Sequence, residues 1–186
     1  MLKRMKPIKK KSKEKKEKKP KKISWTITFD EMVEVLKNLE QMHHKLGVIM
    51  AYGGGCRLSE VLKLKPKDFN FVTGELFIRQ GKNSKDRITV IPPIITKDYM
   101  KYFPIPCGKR SLQKAFEDAC IKCGLMGTKP GVHFHSLRHG FATRWINQGL
   151  DIRKLQHLMG HESQVTTEVY IHMAKEGSVK TYLEGF

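Results

Sequence analysis

Five side chains of this 186-residue chain have the types and spacing to handle a phosphodiester. His135 and Arg138 stand in His135-Ser136-Leu137-Arg138-His139, Gly160-His161 follows 22 residues after His139, and Tyr170 comes nine residues later. Arg57 lies far upstream, in Gly55-Cys56-Arg57-Leu58-Ser59-Glu60. Arginine offers a planar fork of donors that matches non-bridging phosphate oxygens and stays charged at any working pH. Histidine moves protons near neutrality. Tyrosine, with a pKa of about 10, is a weak nucleophile that needs a cationic surround to react. Together these residue types suit the binding of a phosphodiester and its attack by a phenol, the chemistry of DNA strand transfer.

The elements that position these groups can be read from local pattern. Thr28-Phe29-Asp30-Glu31 has the form of a capping box, and Met32, Val33, Val35 and Leu36 continue it as a helical stripe. A second helix is expected from His43 to Tyr52, stopping at Gly53-Gly54-Gly55, and a third from Arg57 to Leu64. Phe69, Phe71, Leu76, Ile78, Ile88, Val90 and Ile91 read as three short strands. Turns at Thr73-Gly74 and Gly81-Lys82-Asn83-Ser84 join them into an antiparallel meander. Further helices are expected over 110–123, 136–148, 151–159 and 166–172. The fold class is therefore mainly α with a small three-stranded antiparallel sheet.

Charge adds a partner. The chain carries a formal charge of +18, of which residues 1–22, with 13 Lys/Arg against Glu14 and Glu17, supply +11. The remaining 164 residues still carry +7. A basic body with a basic arm points to a polyanion such as double-stranded DNA, held through phosphate neutralisation and counterion release. Residues 1–22 have almost nothing to bury, so their composition predicts a disordered arm ahead of one domain over 23–186. No run of 18 apolar residues suggests a membrane span, and the basic N-terminus lacks an apolar signal region. Four cysteines in a chain with a full core do not suggest a disulfide framework, so a reducing, cytoplasmic location is expected.

Each motif has local logic. Arg57 at a helix start can address an anion together with backbone N–H groups, and Glu60, one turn on, can orient it or a histidine. Lys82, Lys85 and Arg87 cluster in the turn between two strands, a finger able to enter a DNA groove. His135 and Arg138, three apart, share a helix face. Cys120-x-x-Cys123 falls inside an apparent helix without a second ligand pair at zinc-finger spacing, so no metal is expected.

Singly these signals are weak; their order and spacing are specific. The set Gly55-Cys56-Arg57-Leu58-Ser59-Glu60, Gly81-Lys82 through Arg87, His135-Ser136-Leu137-Arg138-His139, and Leu158-Met159-Gly160-His161 with Tyr170 resembles the catalytic domain of tyrosine recombinases, the phage integrase family. The resemblance spans roughly residues 24–175. It implies that Arg57 and Arg138 bind the scissile phosphate, Tyr170 attacks to leave a 3′-phosphotyrosine, and Lys82 (with Lys85 the other candidate) protonates the leaving 5′-oxygen. It further implies that His135 assists proton transfer, His161 bonds the phosphate, and Glu60 and His139 support the site from behind. Lys85, Arg87, Lys109 and Arg110 would contact DNA. The resemblance implies neither metal nor other cofactor, and it implies a homo-oligomer on DNA joined through the segment after Tyr170.

Two departures stand out. Members of the family usually carry a separate core-binding domain, which residues 1–22 cannot form, and Cys56 sits where an aliphatic residue is usual. Two other readings share the same residues: a non-catalytic DNA-binding module of this fold, and a monomeric nicking-closing enzyme of the type IB topoisomerase kind.

Overall fold

A computed structural model of the chain describes residues 25–79 and 86–160. The expectations for the arm 1–22, for Lys82, Lys85, His161 and Tyr170, for the helix over 166–172 and for the C-terminal segment lie outside the described residues.

Helix α1 spans Phe29–Lys37, α2 Met42–Gly53, α3 Leu58–Val61, α4 Lys109–Lys122, α5 Leu125–Thr128, α6 Phe134–Asn147 and α7 Ile152–Met159. Between α3 and α4 lies a sheet of β1 (Phe69–Asn70), β2 (Glu75–Ile78) and β3 (Arg87–Val90), ordered β1-β2-β3 and antiparallel throughout. The expected mainly helical fold with a small sheet is what forms.

Local chemistry explains most boundaries. The capping box at α1 closes in both directions: the Thr28 amide donates to Glu31 Oε2 at 2.8 Å, and the Glu31 amide donates to Thr28 Oγ1 at 3.3 Å. Helix α3 is shorter than the expected run to Leu64. Its last bonds tighten to i→i+3 (Lys63 N–H to Glu60 O, Leu64 N–H to Val61 O), and Lys65 turns extended ahead of Pro66. Helix α6 starts at Phe134 rather than Ser136, because the His133 amide donates to Ser136 Oγ at 3.2 Å and caps the first turn. A 3-10 helix over Lys97–Tyr102 and the single turn α5 have no amphipathic pattern long enough to announce them.

The core forms where α2 and α6 cross. Leu46, Val48, Met50, Ala51 and Tyr52 of α2 are buried, with Leu137 and Phe134 of α6 and Leu112 and Phe116 of α4 around them. Gly140 permits the crossing: a Cβ there would sit 2.5 Å from Ile27 O and 2.7 Å from Tyr52 Cε2. A smaller apolar cluster of Phe141, Ala142, Leu155 and Met159 joins α6 to α7, with Val90 of β3 packed against it. Helix α7 thus rests on the sheet as well as on α6, and it ends in a left-handed cap at Gly160 (φ +59°).

The sheet register decides which side chains of β3 turn inward. Leu76 pairs with Thr89 and Ile78 with Arg87. Directly paired residues project to the same face, so Arg87 and Thr89 share the inward face of buried Leu76 and Ile78, while Ile88 is left exposed. No helix among the described residues is long and apolar enough to cross a membrane.

Candidate active site

Three chain segments meet behind β3: the glycine turn after α2, the start of α6, and the end of α7. The turn folds as it does because Gly55 takes φ +63° and lies so close to Phe141 that a Cβ would sit 2.7 Å from its ring. Its main-chain carbonyls become acceptors. Gly54 O takes the Thr89 hydroxyl at 2.9 Å, and Gly55 O takes Arg87 Nη2 at 3.2 Å and Arg138 Nη1.

Glu60 sits at the centre. Its Oε1 accepts Arg57 Nη1 at 2.7 Å; its Oε2 accepts the Arg57 backbone N–H at 2.7 Å and Arg87 Nη2 at 2.8 Å, with Arg138 Nη1 at 4.0 Å. Three guanidinium groups share one carboxylate, leaving two net positive charges in a buried space. Burial by itself would raise the Glu60 pKa. The charge of Arg87, the Arg57 backbone N–H and the side-chain bonds from Arg87 and Arg57 outweigh it and hold the carboxyl below its ordinary 4.5. Glu60 is therefore an anion that anchors cations.

The end of α7 supplies further acceptors. Arg57 Nη2 donates to Gly160 O at 3.2 Å, Arg138 Nη2 to Met159 O, and Arg87 Nη1 to Leu158 O. Arg138 is 1% exposed and Arg57 21% in their side chains, so Arg57 is the one that reaches solvent. A guanidinium carries five N–H groups, so Arg57 can keep both acceptors and still address an incoming anion.

His135 lies on the first turn of α6 and opens to the surface. Its imidazole is nevertheless lowered from 6.5 to about 4, first by partial loss of solvent and then by the positive charge of Arg138, His133 and Arg57. The arginines act in the same direction as the burial, and together they keep His135 neutral near pH 7, with a ring nitrogen that can accept a hydrogen bond. His139 stacks edge-on against it, ring centroids 4.9 Å apart. A cleft of about 90 Å³ beside His135 is lined by His133, Gln113, Cys56 and Leu58. The Cys56 thiol, fully buried, is pushed up to about 12, chiefly by that burial, and is not a nucleophile.

The expected site residues within the described chain take three placements. Arg57, Glu60, Arg138, His135 and His139 come together. Lys109 and Arg110 are exposed at the N-terminus of α4, with Gln113, one turn on from Arg110, in the cleft of His135. Arg87 is placed otherwise than the expected contact at the tip of a DNA-facing turn. Its side chain is 7% exposed and points inward, because the sheet register pairs it with buried Ile78. Sequence reasoning also missed a groove of about 320 Å³ on the other side of Glu60, lined by Lys63, Lys65, Lys67 and Arg79, with Arg79 Nε bound to buried Asp68 at 2.8 Å. The alternating Lys63-x-Lys65-x-Lys67 was the available signal.

Potential metal ligands gather once among the described residues: His43, His44 and Cys107 place ligand atoms within 4.8 Å of one another. His44 Nε2 is 3.4 Å from Ser111 Oγ, and burial pushes the Cys107 thiol up, so it keeps its proton. Cys120 and Cys123 are free thiols on and just after α4, with Cys123 Sγ donating to Cys120 O at 3.6 Å.

The model of the phage integrase family matches residues 26–103 and 104–177 of this chain. The chain belongs to the phage integrase family. Among curated relatives, the tyrosine recombinase XerA of Pyrococcus furiosus is 35% identical over 153 residues, covering 75% of this chain and 53% of the relative. A tyrosine recombinase of Thermosipho africanus is 30% identical over 168 residues, covering 83% and 59%. The chain thus spans little more than half the length of these relatives. Among solved structures, XerH recombinase bound to a palindromic difH substrate in a post-cleavage complex superposes with a TM-score of 0.68 at 24% identity, over 83% of this chain and 51% of that one. The catalytic domain of bacteriophage HP1 integrase gives 0.64 at 21% identity, over 85% and 95%. These likenesses establish an integrase catalytic-domain fold, in which the arginine cluster occupies the junction of sheet, α6 and α7.

Proposed function

We propose that this chain cleaves and rejoins DNA at specific sites through a 3′-phosphotyrosine intermediate. The observation that carries the reading is the convergence of Arg57 and Arg138 on Glu60 beside a neutral His135. In this reading the two arginines take the non-bridging oxygens of the scissile phosphate and stabilise the charge that builds in its pentacoordinate transition state. The Tyr170 phenol gives its proton to His135 and attacks phosphorus. The bond to the 5′-oxygen breaks, that oxygen takes a proton from Lys82, and His161 bonds the phosphate. Rejoining is the reverse: a 5′-hydroxyl attacks the phosphotyrosine, so the bond energy is kept and no nucleotide is spent.

Family membership and relatives named tyrosine recombinases support the reaction class. A formal charge of +18 supports a double-stranded DNA partner. The basic groove of Lys63, Lys65 and Lys67 offers a further track for phosphates. The chain would work as a homo-oligomer on paired sites, with residues 171–186 as the exchanged segment.

The test is a nicked suicide duplex, or pooled genomic fragments where the site is unknown, run on a denaturing gel. A covalent adduct that Tyr170→Phe abolishes is the expected result. DNA binding with no adduct, on sites that a full-length relative cleaves, would favour the non-catalytic module. Sedimentation of the protein on DNA separates an oligomeric recombinase from a monomeric nicking-closing enzyme.

A further inference from the structure

We propose that Arg87 is a positioning residue that holds both acceptors of Arg57 in place. Among the described residues its hydrogen bonds go to Leu158, Gly55 and Glu60, and so reach neither Arg57 nor the cleft of His135. They do hold what Arg57 depends on. The Arg57 guanidinium has two acceptors, Glu60 Oε1 and Gly160 O. Arg87 binds the other oxygen of that carboxylate, Glu60 Oε2, at 2.8 Å. On the other side its Nη1 donates to Leu158 O in the last turn of α7, and its stem lies under Gly160 so closely that a Cβ there would be 2.5 Å from Arg87 Cδ.

The contacts form a closed circuit: Arg57 to Glu60, Glu60 to Arg87, Arg87 to the end of α7, and Gly160 back to Arg57. Arg87 is the member that crosses between the sheet and α7. Every member of the circuit belongs to the chain itself, so the support is built into the fold, as preorganised charge stabilisation demands. Its Nη2 also shares Gly55 O with Arg138, so the second arginine of the site leans on the same support.

Arg87 further sets the charge state of the hub. It is the largest electrostatic influence holding Glu60 ionised against its burial. The other cations and titratable groups that face Glu60 are Arg57, Arg138, His135 and Cys56. Across the groove stand Lys63, Lys65 and Lys67, together with the Asp68–Arg79 pair. Without Arg87 the burial penalty gains ground, the Glu60 pKa rises, and protonation of Glu60 releases Arg57 from its anchor.

The experiment compares the full chain with Arg87→Gln and Arg87→Lys, and it has two arms. The first needs no activity: amide hydrogen exchange on the protein without DNA. Faster exchange confined to residues 55–60 and 155–160, with α2 and α4 unchanged, is expected in Arg87→Gln and less so in Arg87→Lys. Unchanged exchange in those segments would overturn the proposal. The second arm rests on the recombinase reading and measures single-turnover adduct formation on the suicide duplex. Arg87→Gln should slow it on the order of 100-fold, the scale of a displaced catalytic group, with DNA affinity within about twofold of wild type. Because the Glu60 pKa rises, its rate should also begin to fall at a higher pH than that of wild type as the solution is acidified. A loss of DNA affinity matching the loss of rate, flat across pH, would make Arg87 a DNA contact and sink the proposal. A wild-type chain that forms no adduct at all would count against the recombinase reading and leave the exchange arm to decide the role of Arg87.

Discussion

Glu60 of α3 and Arg87 of β3 meet at 2.8 Å although 27 residues separate them, and their side chains are only 4% and 7% exposed. A buried ion pair of this kind is not in itself a source of stability, because desolvation of both charges opposes their attraction. Its value here is geometric: one carboxylate fixes the directions of two guanidinium groups and lies 4.0 Å from a third.

Removal of one partner should therefore be costly. Glu60→Ala removes the buried anion that Arg87 binds and Arg138 faces, and a loss of about 3 kcal/mol in folding stability is expected, the lower end of the range for breaking a buried pair. Urea unfolding followed by circular dichroism measures it. A loss of less than about 1 kcal/mol, the level of an exposed pair, would show that water reaches the cluster.

Stability should fall in acid, in two overlapping windows. His135 has a folded pKa of about 4 against 6.5 unfolded, so between those values the unfolded chain binds a proton that the folded chain refuses, and stability drops as pH falls. Glu60 acts lower: its folded pKa lies under 4.5, so its contribution is complete above 4.5 and is lost as pH falls further. His135→Gln should flatten the stability curve between pH 6.5 and 4 and leave the slope below 4 in place. Parallel curves for variant and wild type through the upper window would show that His135 is not desolvated.

The α2–α6 crossing admits no side chain at Gly140. With Ile27 O 2.5 Å from the site of a new Cβ, Gly140→Ala should cost roughly 1–3 kcal/mol through overpacking, against the ordinary gain of alanine over glycine within a helix. Thermal unfolding is the measurement, and a rise in Tm would mean that the two helices can separate without loss.

The basic arm should act on affinity alone. Deletion of residues 1–22 removes 13 of the 36 Lys and Arg residues and should weaken DNA binding and flatten its dependence on salt. The melting temperature should hold, since the family match begins at residue 26. Fluorescence anisotropy across a salt series decides it; an unchanged slope would mean that the arm does not touch phosphate.

Much of this molecule is legible locally, and the exceptions share one cause. The capping box at Thr28, the glycine stop of α2, the meander and the helix carrying His135 and Arg138 all depend on neighbours within a few residues. So does the N-cap of α7, where Asp151 Oδ1 accepts the Arg153 N–H at 2.9 Å. Arg87 escapes a local reading because Arg87-Ile88-Thr89-Val90 looks like a strand with its apolar residues inward, whereas register turns Arg87 and Thr89 toward the site. Alternation gives two faces but not which one is covered. That choice is made by the glycine turn and α7, which are distant in sequence. The role of Glu60 as a hub is likewise visible only in part, since pairing with Arg57 is local and pairing with Arg87 is not.

Two turns of main chain carry much of this site. Gly55, Leu158, Met159 and Gly160 all present carbonyls to guanidinium groups, and Gly54 presents one to Thr89. A carbonyl cannot be deleted by changing a codon. An alanine scan would therefore report three arginines and a glutamate and stay silent about half of what holds them. Drift at Leu158 or Met159 can alter the side chain and spare the acceptor, so this half of the site is inherited as a path of the backbone. It would be lost by an insertion or deletion in either turn far sooner than by substitution.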